Sequence, residues 1–249
     1  MKRIFYLFII TTLFYSCSNA EKNSLEGFKY LEQGKDMRAY HFFDLALQQS
    51  QDFPLALYGK GLLMFKNPST VHMARNMLLN ALPELEGKYK LGAYEALAKS
   101  YRLYNQQAEA VGILKRAIKE SVDQPAIYLL LIDNYTDLRK YTLIQRTFDS
   151  ALELYPENID LLKKAALFEI THSRSLKNSR KLYNQIIEIA PQDVESLWKL
   201  SVISYKLGER DQAIEYLDKL LKLEEDPEKK SQYEEWKNLA KRKRWKPSL

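Results

Sequence analysis

The chain has 249 residues, of which 46% are hydrophobic, with 8 glycines, 8 prolines and one cysteine. This length allows one extended domain or two compact ones, and the apolar fraction is sufficient to bury a core. The low glycine and proline content argues against a loop-rich β fold and against a disordered chain. A single cysteine excludes an internal disulfide and a zinc site built on cysteines.

The formal net charge of +6 comes from 38 Lys and Arg residues against 32 Asp and Glu residues. Two basic residues stand at positions 2 and 3, and five more form a run near the end of the chain: Lys241, Arg242, Lys243, Arg244 and Lys246. Removing these seven leaves 31 basic residues against 32 acidic ones, a balance of −1. The basicity therefore belongs to the two ends, and the composition predicts no DNA-binding face on the body of the protein.

The first residues have the pattern of an export signal. Lys2 and Arg3 form a charged region, and residues 4–15 form an apolar stretch that is too short to span a bilayer. The single cysteine, Cys17, directly follows the small residue Ser16. This arrangement resembles a bacterial lipoprotein signal, whose cleavage site ends in a cysteine that becomes the lipid-bearing first residue of the mature protein.

The resemblance implies that residues 1–16 are removed, that Cys17 is the lipid attachment site and that residues 17–23 form a tether. It also implies a location in the bacterial cell envelope, with the outer membrane preferred over the inner one. Two alternatives stay open. An ordinary signal peptidase cutting after Ala20 would release the protein, or the segment would remain uncleaved.

One spacing recurs along the rest of the chain. A small residue is followed by an apolar residue four positions later and by a small or apolar residue three positions after that, which places all three on one face of a helix. These triplets start at intervals of 34 to 36 residues, at Ala39, Ala74, Ala110, Ile144, Ser179 and Ala213. A second amphipathic stretch precedes each triplet, and prolines separate the pairs. The sequence therefore predicts an all-α chain of repeated helical hairpins.

This pattern resembles the tetratricopeptide repeat (TPR) family, whose motif of 34 residues sets large and small residues at fixed positions of two paired helices. Residues 91–124 supply Tyr94, Ala98, Ala110 and Leu114 in that register. The resemblance implies an α-solenoid of about six repeats over residues 24–227, in which stacked neighbours share a core. The repeats it implies are approximately 20–53, 54–90, 91–124, 125–158, 159–193 and 194–227.

The residues after the last repeat predict a cap and a tail. Tyr233, Trp236 and Ala240 form one apolar stripe on an otherwise polar stretch. Because repeat arrays end in a polar-faced cap, residues 228–249 are expected to form a capping helix and a basic tail. The run of cations in the tail suits contact with anionic lipid headgroups or with an acidic partner, and a solvated, frayed end is the alternative.

No pattern in the sequence indicates catalysis. His41, His72 and His172 stand in different repeats without metal-ligand spacing, and the chain has neither a glycine-rich phosphate loop nor a nucleophile motif. We therefore expect no enzyme activity, no metal, no cofactor and no nucleic-acid partner.

The TPR resemblance implies a binding groove lined by fixed positions of the first helix of each repeat. In this register the groove residues are Glu95, Lys99 and Arg102 in the third repeat, Asp133 and Asp137 in the fourth, and Trp198, Val202 and Tyr205 in the sixth. An exposed Trp–Tyr surface is a typical anchor for a peptide or a helix. A shift of one residue would instead bury Trp198, because its neighbour Leu197 holds a core position, so both placements stay open.

These features predict a membrane-tethered adaptor or scaffold that binds a protein or peptide partner in the envelope, in assembly, secretion or cell-wall machinery. The choice of machinery rests on analogy between similar folds. One alternative is a protein that holds a small ligand for a transporter, which a closed apolar cavity would favour. Another is a structural protein that associates with itself.

Overall fold

The computed structural model of the chain describes residues 18–248. Over this range the chain consists of α-helices joined by short turns and contains no β-strand. The helices are α1 (residues 18–32), α2 (Asp36–Gln49), α3 (Pro54–Met64), α4 (Val71–Ala81), α5 (Gly87–Leu103), α6 (Gln107–Lys119), α7 (Pro125–Asp137), α8 (Tyr141–Leu154), α9 (Ile159–Phe168), α10 (Leu176–Ile189), α11 (Val194–Lys206), α12 (Arg210–Leu223) and α13 (Pro227–Lys241). The prediction of an all-α chain is confirmed.

The helices form two compact units, of which the first extends to Lys140 and the second begins at Tyr141. The first unit holds α1 to α7 and the second holds α8 to α13, and within each unit consecutive helices pack against one another. No helix between residues 18 and 248 has both the length and the apolar character needed to cross a bilayer.

The recurring triplet of small and apolar residues forms the core, as its spacing predicts. In α2 the triplet residues Ala39, Phe43 and Ala46 are all buried, and so are the equivalent residues of α4 and α6. In the second unit Ala213 and Leu217 of α12 are buried, together with the triplets of α8 and α10. Each second helix of a hairpin therefore turns one packed stripe toward its neighbours.

Most of the first helices end in the same turn. At Gly34, Asn105, Arg139 and Gly208 the backbone has a positive φ, between 54° and 85°. The amide of each of these residues donates to the carbonyl three residues earlier, and the next amide donates to the carbonyl five residues earlier. These bonds satisfy carbonyl groups that the end of a helix leaves open, and the turn then starts the second helix.

The fifth hairpin departs from this turn. Its first helix, α9, continues into a π-helical turn over Glu169–Ser173. The left-handed residue that follows is Arg174, with φ of 53°, and the amide of Ser175 donates to the carbonyl of Glu169. A π turn accommodates an additional residue without breaking the helix, which explains the looser sequence match of this repeat.

The N-terminal helix begins inside the segment expected to be a tether. Residues 18–23 are helical, and Ala20 is fully buried against Ala46 of α2. The hydroxyl of Ser24, also buried, donates to the carbonyl of Ala20 at 2.7 Å. Residues 18–23 of the expected tether are therefore helix, because the small side chain of Ala20 lets α1 pack closely against α2.

Candidate binding surface

The charged residues predicted for the middle of the groove lie together in the first unit. The guanidinium of Arg102 on α5 forms a fork with the Asp137 carboxylate on α7, with Nε–Oδ2 at 2.6 Å and Nη2–Oδ1 at 3.2 Å. Asp133, one turn earlier on α7, lies 3.7 Å from the Nη1 atom of Arg102. The hydrogen bonds of this fork lower the pKa of Asp137 below its usual value and raise the pKa of Arg102. We call these three side chains the charged row.

The other two predicted residues of the first unit form a pair one turn away. The ammonium of Lys99 lies 2.9 Å from Oε2 of Glu95, with the spacing of four residues that joins side chains on one helix face. The Lys99 side chain remains largely in solvent and is available to a ligand. Burial of the Tyr58 ring raises the pKa of Tyr58 to about 12, and the nearby charge of Glu95 adds to that rise. Glu95 therefore faces the first helices of the earlier repeats.

An aromatic cluster joins α1, α3 and α5. The ring of Phe28 lies 5.7 Å from that of Tyr58 and 5.2 Å from that of Tyr89, between centroids. Phe28 and Tyr58 hold positions nine and five of the predicted repeats, so the register that indicated the other groove residues also points to them. Tyr89 was not predicted, because α5 begins at Gly87, before the frame of the third repeat.

An apolar cleft opens beside this cluster, where α3 ends and α4 begins against the second half of α5. Its volume is about 280 Å³, and we call it the apolar cleft. Leu103 on its rim is 76% exposed, and the Tyr104 ring is also open to solvent. The lining residues are Leu62, Phe65, Val71, Ala96, Lys99, Ser100, Leu103 and Tyr104. The cleft thus combines apolar walls with the Lys99 ammonium, and only Lys99 of this set was predicted from sequence.

A buried arginine supports one wall of the cleft. Arg75 on α4 is 5% exposed, and its guanidinium donates to the hydroxyl and the carbonyl of Ser100 at 2.9 and 2.8 Å. It also donates to the side chain of Gln106 at 2.6 Å and stacks on the Tyr101 ring at 4.3 Å from its centroid. A cation at the last carbonyls of a helix also suits the helix dipole. Arg75 therefore holds the end of α5, and with it Tyr104, in place.

The aromatic residues predicted for the sixth repeat are not open to solvent in the same way. Val202 is fully buried, because α11 is enclosed by its neighbouring helices over the consecutive residues 200–204. The prediction that Val202 lines the groove is therefore wrong. Trp198 and Tyr205 lie on one face of α11 at the edge of the core, and both are partly buried by aromatic rings from the end of the chain.

These covering rings are Trp236 of α13 and Trp245 of the tail. The ring of Trp198 lies 4.2 Å from Trp236 and 5.7 Å from Trp245, and that of Tyr205 lies 5.1 Å from Trp245. The sequence left open whether Trp198 faces the groove or the core. The structure shows a third arrangement, in which the chain's own C-terminal residues cover Trp198.

The basic tail is exposed around this buried ring. Its charged residues lie in solvent, and within residues 18–248 none of them has an ion-pair partner: Lys241, Arg242, Lys243, Arg244 and Lys246. The predicted lipid attachment site, Cys17, and the predicted signal over residues 1–16 lie outside the described residues.

A second cavity lies in the second unit between α8, α9 and α10, with a volume of about 330 Å³. Its floor includes Phe148 and Phe168, but its rim carries the charged side chains of Asp149, Glu169 and Lys181. This partly open cavity differs from the closed apolar one that a ligand carrier would need. Between residues 18 and 248, no group of three or more His, Cys, Asp or Glu side chains is placed to hold a metal.

Comparison with solved structures identifies the fold. The chain is similar to PilF of Pseudomonas aeruginosa, with a TM-score of 0.65 and 15% identity over 88% of this chain and 98% of that one. It is similar to PilW, described as a widely conserved type IV pilus biogenesis factor, with a TM-score of 0.59 and 15% identity over 81% and 91%. It is also similar to YrrB, a TPR protein with an unusual peptide-binding site, with a TM-score of 0.54 and 15% identity over 78% and 97%.

These likenesses show a TPR-type α-solenoid fold, and they confirm the fold class predicted from the repeats. No family model and no curated protein matches the sequence. At such low identity the function must be argued from the surface itself.

Proposed function

We propose that the protein is a membrane-tethered adaptor of the bacterial envelope that binds a segment of a partner protein on the first helices of its first unit. The observation that carries the proposal is the apolar cleft, which lies beside the charged row. Protein interfaces commonly combine an apolar centre with a polar rim. A partner segment would insert an apolar side chain between Leu62 and Tyr104 and meet the Lys99 ammonium with a polar group.

The exposure of Leu103 supports this assignment. Its side chain is 76% exposed at the end of α5, next to the open Tyr104 ring and the half-buried Phe65. Contiguous apolar surface rimmed by polar residues marks interaction sites on soluble domains. Similarity in fold to YrrB, a TPR protein with a peptide-binding site, and to PilW, a pilus biogenesis factor, is consistent with a protein partner.

The membrane tether in the proposal rests on the sequence around Cys17, and the start of α1 bears on where the signal is cut. Cleavage after Ala20 would remove a residue that is fully buried and whose carbonyl accepts a hydrogen bond from Ser24. Cleavage before Cys17 leaves α1 complete. A lipid at Cys17 would then hold the helices close to the membrane and raise their local concentration toward envelope partners.

Lipidation predicts a defined mature N-terminus. Intact mass spectrometry of the protein from its native envelope is expected to show a chain that begins at Cys17 and carries acyl groups. Cys17→Ser is expected to abolish acylation, because the cysteine sulfur is the atom that accepts the lipid. The protein is then expected to leave the detergent-rich fractions. A mature chain that begins at Glu21 would contradict the tether while leaving the binding surface untouched.

The apolar cleft predicts a sensitive surface position. Leu103→Ser is expected to lower capture of the envelope partner about tenfold or more, because it removes exposed apolar area from the contact. Capture is measured by crosslinking in the native envelope followed by mass spectrometry. Helicity should stay at the wild-type value, since Leu103 is mostly in solvent.

The matched control is Met37→Ser on α2, where the side chain is 85% exposed in the same unit but away from the cleft residues. This variant is expected to capture the same partner as the wild type. Equal capture by all three proteins would refute the assignment of the cleft, and equal loss in both variants would point to nonspecific apolar contact.

A further inference from the structure

We propose that the aromatic surface of α11 and α13 is a second binding site, specific for the tryptophan side chain of an extended segment, and that the chain's own residues 245–248 are its resident occupant. We call the surface formed by Trp198, Tyr205 and Trp236 the aromatic cup. A partner segment of the same chemistry would bind there by exchange with the tail. This inference concerns the second unit and does not depend on the partner proposed for the apolar cleft.

The cup has the form of a ligand site for one indole ring. Trp198 and Tyr205 are seven residues apart, so they project from one face of α11 about two turns from each other. The Trp245 ring lies 5.7 Å from Trp198, 5.1 Å from Tyr205 and 6.4 Å from Trp236, between centroids. Trp245 is thereby reduced to 5% exposure, although the residues on both sides of it are exposed.

The last described residues, 245–248, are attached to the body through the Trp245 side chain. Helix α13 closes with a turn in which Lys243 has φ of 58° and the amide of Arg244 donates to the carbonyl of Leu239 at 2.8 Å. Beyond that bond, in the part of the chain that the structure describes, residues 245–248 make no hydrogen bond. A segment without regular structure, anchored by one aromatic ring, binds as a peptide binds to its receptor.

The charges of the tail do not hold it in place. Five cations flank the buried ring, and none is neutralised by an acidic side chain among residues 18–248. They already lie in solvent and stay next to one another along the chain in either state, so they add no contact that favours docking. The docked state therefore depends on the indole contact, and a competing segment needs only an equivalent ring to take its place.

The test uses the full chain and a synthetic probe. The probe is a fluorophore-labelled peptide with the sequence KRKRWKPSL, that of residues 241–249, and its binding is followed by fluorescence anisotropy. Trp245→Ala empties the cup and is expected to bind the probe. The wild type is expected to bind it at least tenfold more weakly, because its own tail is present at a high effective concentration. A control peptide with alanine in place of tryptophan keeps every charge and is expected not to bind.

Three results would overturn the inference. They are absence of probe binding to a folded Trp245→Ala protein, equal binding to variant and wild type, and equal binding of the alanine control peptide, which would show charge attraction alone. If Trp245→Ala loses helicity, Trp245→Leu keeps an apolar side chain in the cup and is titrated instead. Loss of helicity in both variants would show that the ring is a permanent part of the core and would equally refute exchange.

Discussion

Replacing Arg75 with alanine is expected to lower the free energy of unfolding by about 3 kcal/mol, a large effect for a single polar residue. The guanidinium is buried and donates to the hydroxyl and carbonyl of Ser100 and to Gln106. Alanine leaves the buried acceptors of Ser100 unpaired and removes the contact with the Tyr101 ring. Urea unfolding followed by circular dichroism measures the change.

Two further variants separate the geometry of this side chain from its charge. Arg75→Lys keeps the charge but presents a single ammonium in place of the fork, and it is expected to recover less than half of the lost stability. Arg146→Ala on α8 removes an exposed arginine and is expected to change stability by less than about 0.5 kcal/mol. A change of that small size at Arg75 would mean that its hydrogen bonds add no net stability.

The role of Arg75 was not predicted from the sequence. It follows Ala74 of the second triplet, so the repeat pattern marks its neighbour as core and says nothing about the arginine itself. Its partners lie 25 and 31 residues away, on the next hairpin. Such pairings depend on how two helices meet, and one sequence carries no periodic signal for them.

The core was predictable because its signal is local. The triplet that contains Phe43 and the equivalent triplets of the other hairpins are buried throughout, since spacing of four and three residues sets one helix face regardless of what packs on it. The turns at Gly34, Asn105 and Gly208 also have a local cause, because glycine and asparagine tolerate the positive φ found there. The helical start at residue 18 was not predicted, because the residues that follow the predicted signal were assigned to a tether.

The contacts among the predicted groove residues were predictable in part. Arg102 and Asp137 were both predicted from neighbouring positions, 12 and 13, of two consecutive repeats, and their side chains do meet. Trp198 and Tyr205 share one face of α11, as their spacing of seven residues predicts, but the rings that cover them were not predicted. The repeat register predicts which face of a helix a side chain occupies. It does not predict that Trp245 packs back onto that face, because this contact depends on how the tail folds.

The second large effect is expected at a glycine. Phe43 on α2 is fully buried, with Gly27 of α1 and Gly59 of α3 beside its ring. A Cβ atom on Gly59 would stand 2.2 Å from Cζ of Phe43, and one on Gly27 would stand 2.6 Å from Cε1. The ring is therefore held from two helices and has little room to move away.

Gly59→Ala is expected to destabilise the protein by about 1 to 2 kcal/mol. The added methyl group gains about 0.5 to 1 kcal/mol in helix propensity, but overpacking against the ring costs about 1 to 3 kcal/mol. Gly112→Ala on α6 is the matched control, because a Cβ there meets no atom of the described residues within 4 Å. That control is expected to stabilise the protein by about 0.5 to 1 kcal/mol, so the two identical substitutions should differ in sign.

A double-mutant cycle with Phe43→Leu tests the cause. Leucine lacks the far end of the ring, so Gly59→Ala in the Phe43→Leu background is expected to lose its penalty and to show the propensity gain seen at Gly112. The coupling free energy, obtained from urea unfolding of the four proteins, is then about 1 to 3 kcal/mol. A coupling near zero would mean that the alanine acts through the backbone of α3 and that close approach to Phe43 is not what requires glycine at this position.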